Sequence, residues 1–353
     1  CGVFMNVTLE HLEFHKTFEQ YRNDKANLFR ALDKHNHEKF IGGKPACINS
    51  IGVVNLEDPS AQYFIESTQK HVYGFTTDGL AGKAAAQTGA DAIPLPPIPE
   101  GIRYMRAQNI AAARNGLDFK IETDGGDALF RADDARPHTY KHIPVRASFA
   151  GAFNAYNIMA SLIAVSALTE KSFEELSRLV PEFNAIKGRM TEIDEGQPFE
   201  VIVDYAHTPS SFETIFPPVK KRCAGKMIAL FGSGGERDLT KRPLQGRIAA
   251  KFCDTIILTD EDPRGEDSVE LLQMIAEGAH KEGKRTGEDL FIIPDRKKAI
   301  RQAFKSAHKG DIVLLLGKSH ENSIIYKDYV MPYDEISEAK RALSEMGFTE
   351  GET

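Results

Sequence analysis

No stretch of this chain approaches the length of a membrane-spanning helix. Its longest uninterrupted aliphatic strings, such as Ile312–Leu316, fall far short of the ~20 residues a span needs. Membrane insertion is therefore not expected. Cysteine is scarce: Cys1, Cys47, Cys223 and Cys253 stand apart with no C-x-x-C pair. That argues against a zinc site or a disulfide framework and for free thiols in a reducing cytoplasm. No signal-peptide pattern opens the chain, so the expected location is cytoplasmic. Positive charge is in deficit. The formal net charge of −7 removes any general electrostatic reason to bind nucleic acid or an anionic surface, although it leaves room for a local basic pocket. There is no internal repeat and no low-complexity tract. Nowhere does G-x-x-x-x-G-K-[ST] occur, and the glycine-rich Gly232–Asp238 lacks the lysine–hydroxyl pair at the required spacing. A Walker A reading of that loop fails.

What is present is enough chain, 353 residues, for two domains of roughly 150 residues each with its own core. The texture changes near Gly188. Downstream, short β-rich runs (Phe199–Asp204, Met227–Phe231, Thr255–Thr259, Leu290–Ile293, Ile312–Leu316) alternate with amphipathic windows (Pro209–Lys221, Leu244–Phe252, Val269–His280, Lys297–Ala307). That alternation predicts a βαβ domain with a mostly parallel sheet. Thr208 suits an N-cap and Pro209 the first helical position. The boundary is placed near Lys187, giving domains 1–187 and 188–353. Upstream, a helix is expected over Phe18–Lys34, mixed strands to about Ser148, and a second helix over Asn154–Leu168. The proline-rich Ile93–Gly101 reads as a connection between strands.

Several constellations carry possible chemistry. Thr17 and Gln20 have capping-box spacing. Phe18, Tyr21, Leu28 and Leu32 then form an apolar stripe with Lys25 in its middle. A lysine so placed snorkels, pairs, or is modified. His11 and His15 precede it, each as readily exposed or structural as metal-binding. Asn154 and Asn157 stand one turn apart at a helix start, either as capping or as a pair of amides facing a polar ligand. The parallel domain is more specific, because open parallel sheets bind ligands beyond the carboxyl ends of their strands. Four such ends carry polar residues: Asp204 and His207; Arg237 and Asp238; Asp260, Glu261, Asp262 and Arg264; Gly317, Lys318, His320 and Glu321. Singly, each is also a solvated loop. Together they suit a zwitterionic small molecule, with Arg237 and Arg264 clamping a carboxylate and Glu321 holding an ammonium.

The segments "NVTLEHLEFHKTFEQYRNDKANLF", "GAFNAYNIMAS", "GRM", "VDYAHTP", "GSGGERDLTKRP", "DEDPR" and "GKSHE" occur in an order that resembles the Mur ligases, most of all the members that form UDP-N-acetylmuramoyl-tripeptide. The resemblance covers nearly the whole chain. It implies an α/β architecture in which part of the central ATPase domain is followed by a Rossmann-like C-terminal domain. The implied reaction uses ATP and Mg2+: ATP phosphorylates the carboxylate of a UDP-muramoyl dipeptide, and the amine of an added amino acid attacks the acyl phosphate. By the same resemblance His11 matches a magnesium-binding histidine, and Lys25 the lysine carbamylated in the family, whose carbamate helps hold magnesium. Asn154, Asn157, Arg189 and Asp204 match ATP-contacting groups, the last two reaching ATP on domain closure. Arg237, Glu261, Asp262, Pro263, Arg264, Gly317 and Glu321 match the pocket for the added amino acid. Members adding meso-diaminopimelate carry D-N-P-R where this chain has Glu261-Asp262-Pro263-Arg264. The arginine favours that diamino acid, while the first two positions depart from the pattern. A folylpolyglutamate or cyanophycin synthetase shares the Asp-Tyr-Ala-His stretch but less of "GSGGERDLTKRP" and "GKSHE". A split subunit, completed by a partner that supplies the phosphate loop, is the non-enzymatic alternative. The chain opens on Cys1, about where the second half of the central domain starts in the family. It is expected to be a downstream portion without ligase activity of its own.

Overall fold

A computed structural model describes residues 1–8, 12–35, 37–41, 43–77, 97–113, 116–123, 141–184 and 186–349. His11 and residues 93–96 of the proline-rich stretch lie outside the described residues. The strands are β1 Gly2–Phe4, β2 His37–Ile41, β3 Lys44–Ile48, β4 Gly52–Asn55, β5 Val72–Thr76, β6 Arg103–Ala113, β7 Gly116–Thr123, β8 Lys141–Ala147, β9 Thr191–Ile193, β10 Glu200–Asp204, β11 Met227–Phe231, β12 Thr255–Leu258, β13 Leu290–Ile292, β14 Ile312–Leu316, β15 Ser323–Ile325 and β16 Val330–Pro332. The chain divides into two compact units, Cys1–Asn184 and Ala185–Thr353. Among the described residues no helix is long and apolar enough to cross a membrane.

The first unit is built on a six-stranded sheet of order β1-β4-β5-β6-β7-β8. β1, β4, β5 and β6 run parallel, and β6, β7 and β8 continue as an antiparallel meander. The helix Asn154–Thr169 lays Ala155, Ile158, Met159, Leu162 and Ile163 into the core formed with Val53, Phe75, Met105 and Ile121. Its flanking residue is Phe153, with no side-chain cap, so Asn154 is not the N-cap. The Asn154 amide instead donates to the Ala150 carbonyl at 2.7 Å.

The helix Phe18–Leu32 covers the β1 end of this unit. Thr17 caps it, accepting from the Gln20 amide at 3.1 Å. The reciprocal half of a capping box does not form, because the Gln20 side chain turns to Asp24 at 2.8 Å. The buried stripe is Tyr21, Ala26, Phe29 and Leu32; Leu28 is half exposed and Lys25 is exposed. The expected stripe shares Tyr21 and Leu32 with the buried one, but Ala26 and Phe29 are buried where Lys25 and Leu28 were expected. At 100° per residue Lys25 falls between Phe29 and Leu32 around the helix, so its exposure is not a matter of phase. Phe4 stacks on Phe64 at 3.7 Å between ring centroids and Phe29 meets the same ring edge-on at 5.3 Å, which fixes this side of the helix.

The second unit has sheet order β13-β12-β11-β14-β10-β9. All neighbours are parallel except the edge strand β9. Its strands are near-continuous Val/Ile/Leu runs because both faces are covered. Ile202, Ala229, Phe231, Ile256, Leu258 and Leu314 face the helices Pro209–Arg222, Lys241–Phe252 and Ser268–Lys281. Val201, Val203, Ile228, Leu230, Ile257 and Val313 face the helices Arg296–Ser306 and Glu335–Glu345. The expected strands and helices of this unit are all present, with ends displaced by up to three residues. Thr208 and Ser211 form a complete capping box ahead of Pro209.

Two glycines let neighbouring helices touch through their backbones. A Cβ on Gly246 would lie 1.9 Å from the Ile275 carbonyl oxygen, and one on Gly278 would lie 1.8 Å from that of Pro243. Gly278→Ala is expected to destabilise the unit by about 1–3 kcal/mol, the usual cost of overpacking, read as a lower urea midpoint at unchanged slope.

Candidate functional site

The parallel register brings four strand ends level: Asp204 faces Leu316, Leu230 faces Leu315, and Phe231 faces Leu258. The loops beginning at Tyr205, Gly232, Thr259 and Gly317 therefore leave one edge of the sheet, and contacts join them. The Lys318 ammonium donates to Asp262 Oδ1 at 2.8 Å and to Glu321 Oε2 at 2.5 Å. Asp262 Oδ1 also accepts the Ile325 amide at 2.9 Å. Glu321 Oε1 accepts the Tyr205 hydroxyl at 3.2 Å. Burial, with the Glu321 carboxylate beside it, pushes Tyr205 up to about 12, so this phenol stays protonated and remains a donor at neutral pH. Both Glu321 oxygens are thus engaged within the protein. Glu261 differs: its Oε2 is buried without a hydrogen-bond partner among the described residues and faces Gly317.

Arg264 has φ 56° and is pinned by its amide to the Ile325 carbonyl at 2.9 Å. Its Nε is buried with no hydrogen-bond partner among the described residues. Pro263 is buried and Arg237 half-buried. The Asp238 carboxylate is spent on the turn, accepting Thr240 N and Oγ1 at 2.9 and 2.7 Å.

The glycine-rich loop is a spacer between loops. Gly235 donates its amide to the Asp262 carbonyl at 2.8 Å, and a Cβ there would lie 1.9 Å from the Pro263 carbonyl oxygen. Only glycine permits that approach. The buried cation of this stretch is Arg242, whose side chain is fully covered. It binds both oxygens of Glu266 at 2.7 and 2.9 Å and reaches the Gly234 carbonyl at 3.3 Å. Its hydrogen bonds hold the Glu266 carboxyl below the usual range, and Glu266 in turn accepts the Glu236 amide. A second buried arginine, Arg296, secures the same edge from below. It donates to the Asp260 carbonyl at 3.1 Å and the Leu316 carbonyl at 2.7 Å, and pairs with both oxygens of Glu335 at 2.9 and 2.7 Å. Burial works against the Arg296 charge, but the Glu335 carboxylate outweighs it and the guanidinium stays ionised. Neither arginine was anticipated. Each partner lies 24 or 39 residues away, and a basic residue in a helical window ordinarily reads as solvated.

Asp204 is buried, and burial raises its carboxyl against the pull of the Met190 and Ala206 amides, each 2.8 Å away. Arg189 lies over the Tyr205 ring at 4.8 Å. Ser319 donates to the Gly188 carbonyl, so the 188–190 turn is tied to both the Asp204 and the Gly317–Glu321 segments. His207 Nδ1 contacts the Tyr205 carbonyl at 2.8 Å, and the His320 ring lies tilted against the Tyr205 ring at 4.8 Å.

In the first unit Asn157 Nδ2 donates to Asn154 Oδ1 at 3.0 Å, which orients the pair as one amide cluster. Lys25 carries its ammonium over the Tyr21 ring at 5.2 Å, and His15 pairs with Asp24 at 2.9 Å. Among the described residues no three His, Cys, Asp or Glu side chains converge as metal ligands.

A level row of strand-end loops above a parallel sheet, joined to a mixed-sheet unit with a helix-start amide pair, is the architecture of Mur ligases, and the chain belongs to that family. Residues 1–165 match its middle domain and residues 188–319 match the domain described as "Mur ligase, glutamate ligase domain". The chain is 51% identical to a UDP-N-acetylmuramyl-tripeptide synthetase of Treponema denticola, covering 97% of this chain and 58% of that protein. It is 32% identical to a UDP-N-acetylmuramoyl-L-alanyl-D-glutamate--2,6-diaminopimelate ligase of Geobacillus kaustophilus, covering 98% and 60%. The chain thus spans about three fifths of the length of these relatives. A solved structure of a UDP-N-acetylmuramoyl-L-alanyl-D-glutamate--2,6-diaminopimelate ligase superposes with a TM-score of 0.52 at 25% identity, over 98% of this chain and 60% of that one. A pseudomurein peptide ligase type C from Methanothermus fervidus shares the fold at TM-score 0.59 and 15% identity, over 98% and 63%.

Proposed function

We propose that this chain is the part of a UDP-N-acetylmuramoyl-tripeptide synthetase that receives the amino acid and faces ATP, within an ATP-dependent amide ligase of peptidoglycan synthesis. In this reading residues 1–187 belong to the central ATPase domain and residues 188–353 form the amino-acid-binding domain. Asn154, Asn157, Arg189 and Asp204 serve ATP. His11 and a carbamate on Lys25 would hold magnesium, which supplies charge neutralisation at the phosphates. Arg237 and Arg264 take carboxylate, and the carboxylates around Lys318 form the acidic side of the pocket. The added amino acid is meso-diaminopimelate, with Arg264 pairing its distal carboxylate.

The observation that carries this is the joining of the Glu261–Arg264 and Gly317–Glu321 segments through Lys318 beside an arginine whose Nε has no hydrogen-bond partner among the described residues. Such a surface offers both charge signs at short range, which fits a zwitterion. The test is the shift in melting temperature with meso-diaminopimelate, lysine or glutamate. A ligand at 100 times its Kd stabilises by about 2.7 kcal/mol. A shift with glutamate alone would overturn the reading.

This 353-residue chain is also expected to form no ADP with ATP, UDP-muramoyl dipeptide and diaminopimelate, because its sequence contains no phosphate loop of the Walker A pattern. ADP release dependent on both substrates, followed by coupled assay, would contradict it.

A further inference from the structure

We propose that Lys318 is a positioning residue whose buried ammonium fastens the Glu261–Arg264 loop to the Gly317–Glu321 loop and sets the Asp262 and Glu321 carboxylates in the orientation the incoming amino acid meets. The link to an amino acid rests on the function proposed above; the fastening itself does not.

The Lys318 side chain is 1% exposed, against 13% for Asp262 and 32% for Glu321. A point charge is thus sealed behind two carboxylates that themselves reach toward solvent. Its bonds run to loops that follow different strands, β12 and β14. A third loop joins through the Tyr205 hydroxyl on the far oxygen of Glu321. The Ile325 amide on Asp262 Oδ1 extends the set to the β15–β16 hairpin. Burying an ammonium is costly unless it is fully paired. Lys318 therefore contributes most where both acids stay in place, and each acid has its orientation fixed by the same cation. A surface ion pair would do neither, since exposed pairs hold little geometry.

The position also selects lysine over arginine. Asp262 and Glu321 converge on one atom, and a planar guanidinium spreads its donors over a fork rather than concentrating them at a point.

The experiment compares the unchanged chain with Lys318→Met and Lys318→Arg by hydrogen exchange and by calorimetric titration with meso-diaminopimelate. In Lys318→Met, amide exchange across residues 260–266 and 317–326 is expected to accelerate by about tenfold or more, with β12 and β14 still protected, as for local opening. Affinity for diaminopimelate falls by about tenfold or more, as expected when an ionic hydrogen-bond partner is misplaced. Lys318→Arg keeps the charge and is expected to unfold near the normal temperature, yet to bind about tenfold more weakly. A merely structural ion pair would be rescued by arginine in both respects. Unchanged loop exchange in Lys318→Met, or wild-type affinity in either variant, overturns the proposal. Should Lys318→Met not fold, Lys318→Arg decides by the same affinity criterion. If the unchanged chain binds no diamino acid, it is the amino-acid reading that fails, and the exchange measurements still decide the fastening.

Discussion

Arg264→Ala lowers the affinity for meso-diaminopimelate by about 10- to 100-fold, while affinity for lysine changes by no more than a few-fold. The size follows from the geometry. The Arg264 backbone is held in the left-handed region and tied to Ile325, so the side chain leaves the loop at a fixed angle. Its Nε is buried and finds no acceptor among the described residues. A guanidinium donor in that state is available to a ligand carboxylate, and a hydrogen bond to a charged group contributes about 1.5–3 kcal/mol, with each 1.4 kcal/mol worth tenfold. Lysine has no second carboxylate and so forfeits nothing by the change. Calorimetric titration of both amino acids reads the difference. An equal loss for lysine would place Arg264 on the α-carboxylate common to both ligands and remove the argument for diaminopimelate.

Glu335→Gln is expected to destabilise the second unit by about 3–5 kcal/mol, the largest stability effect of any single substitution considered, because it leaves the Arg296 charge buried without its anion. Arg296 and Glu335 are both fully covered. Tyr333, pushed up by burial and by the same carboxylate, stays protonated and donates to Glu335 at 2.6 Å. The charge is sealed from solvent, and its other hydrogen-bond acceptors, the Asp260 and Leu316 carbonyls, are neutral. The double change Arg296→Met with Glu335→Leu is expected to recover much of the loss, since apolar replacement of a buried pair is often close to neutral. It would still release the Asp260 and Leu316 carbonyls. Urea unfolding of the three proteins checks this; a loss below about 1 kcal/mol in Glu335→Gln would mean the pair is far less sealed than its geometry indicates.

Arg296, like Arg242, also marks where sequence reading reaches its limit. The parallel sheet was legible strand by strand, because a strand covered on both faces must be apolar throughout and β11 and β14 are unbroken apolar runs of five. The gathering of four loops followed from topology alone, since parallel strands end at one edge. Within the site, residue types at strand ends were readable, but pairings were not. Nothing local distinguishes Arg242 or Arg296 from a solvated cation, and only the folded chain brings Glu266 and Glu335 to them. Glu321 was read as the acceptor for an ammonium; that Lys318 and Tyr205 each engage one of its oxygens could be seen only in the folded chain. The stripe of the helix Phe18–Leu32 was read in part: Tyr21 and Leu32 are buried, whereas Ala26 and Phe29 are buried where Lys25 and Leu28 were expected. Spacing gives the faces of a helix, but what covers each turn is supplied by distant chain, such as Phe64 against Phe29.

The Arg296 clamp has a corollary. It grips the carbonyl oxygens of Asp260 and Leu316, and Gly235 likewise meets the main chain of Asp262. None of these attachments reads a side chain at positions 260 to 263. A change of side chain at Glu261 is therefore expected to leave the outline of this edge intact, whereas a change at Asp262 also removes the carboxylate that Lys318 and the Ile325 amide hold. A frame bolted through the backbone separates the shape of these loops from the chemistry their side chains present.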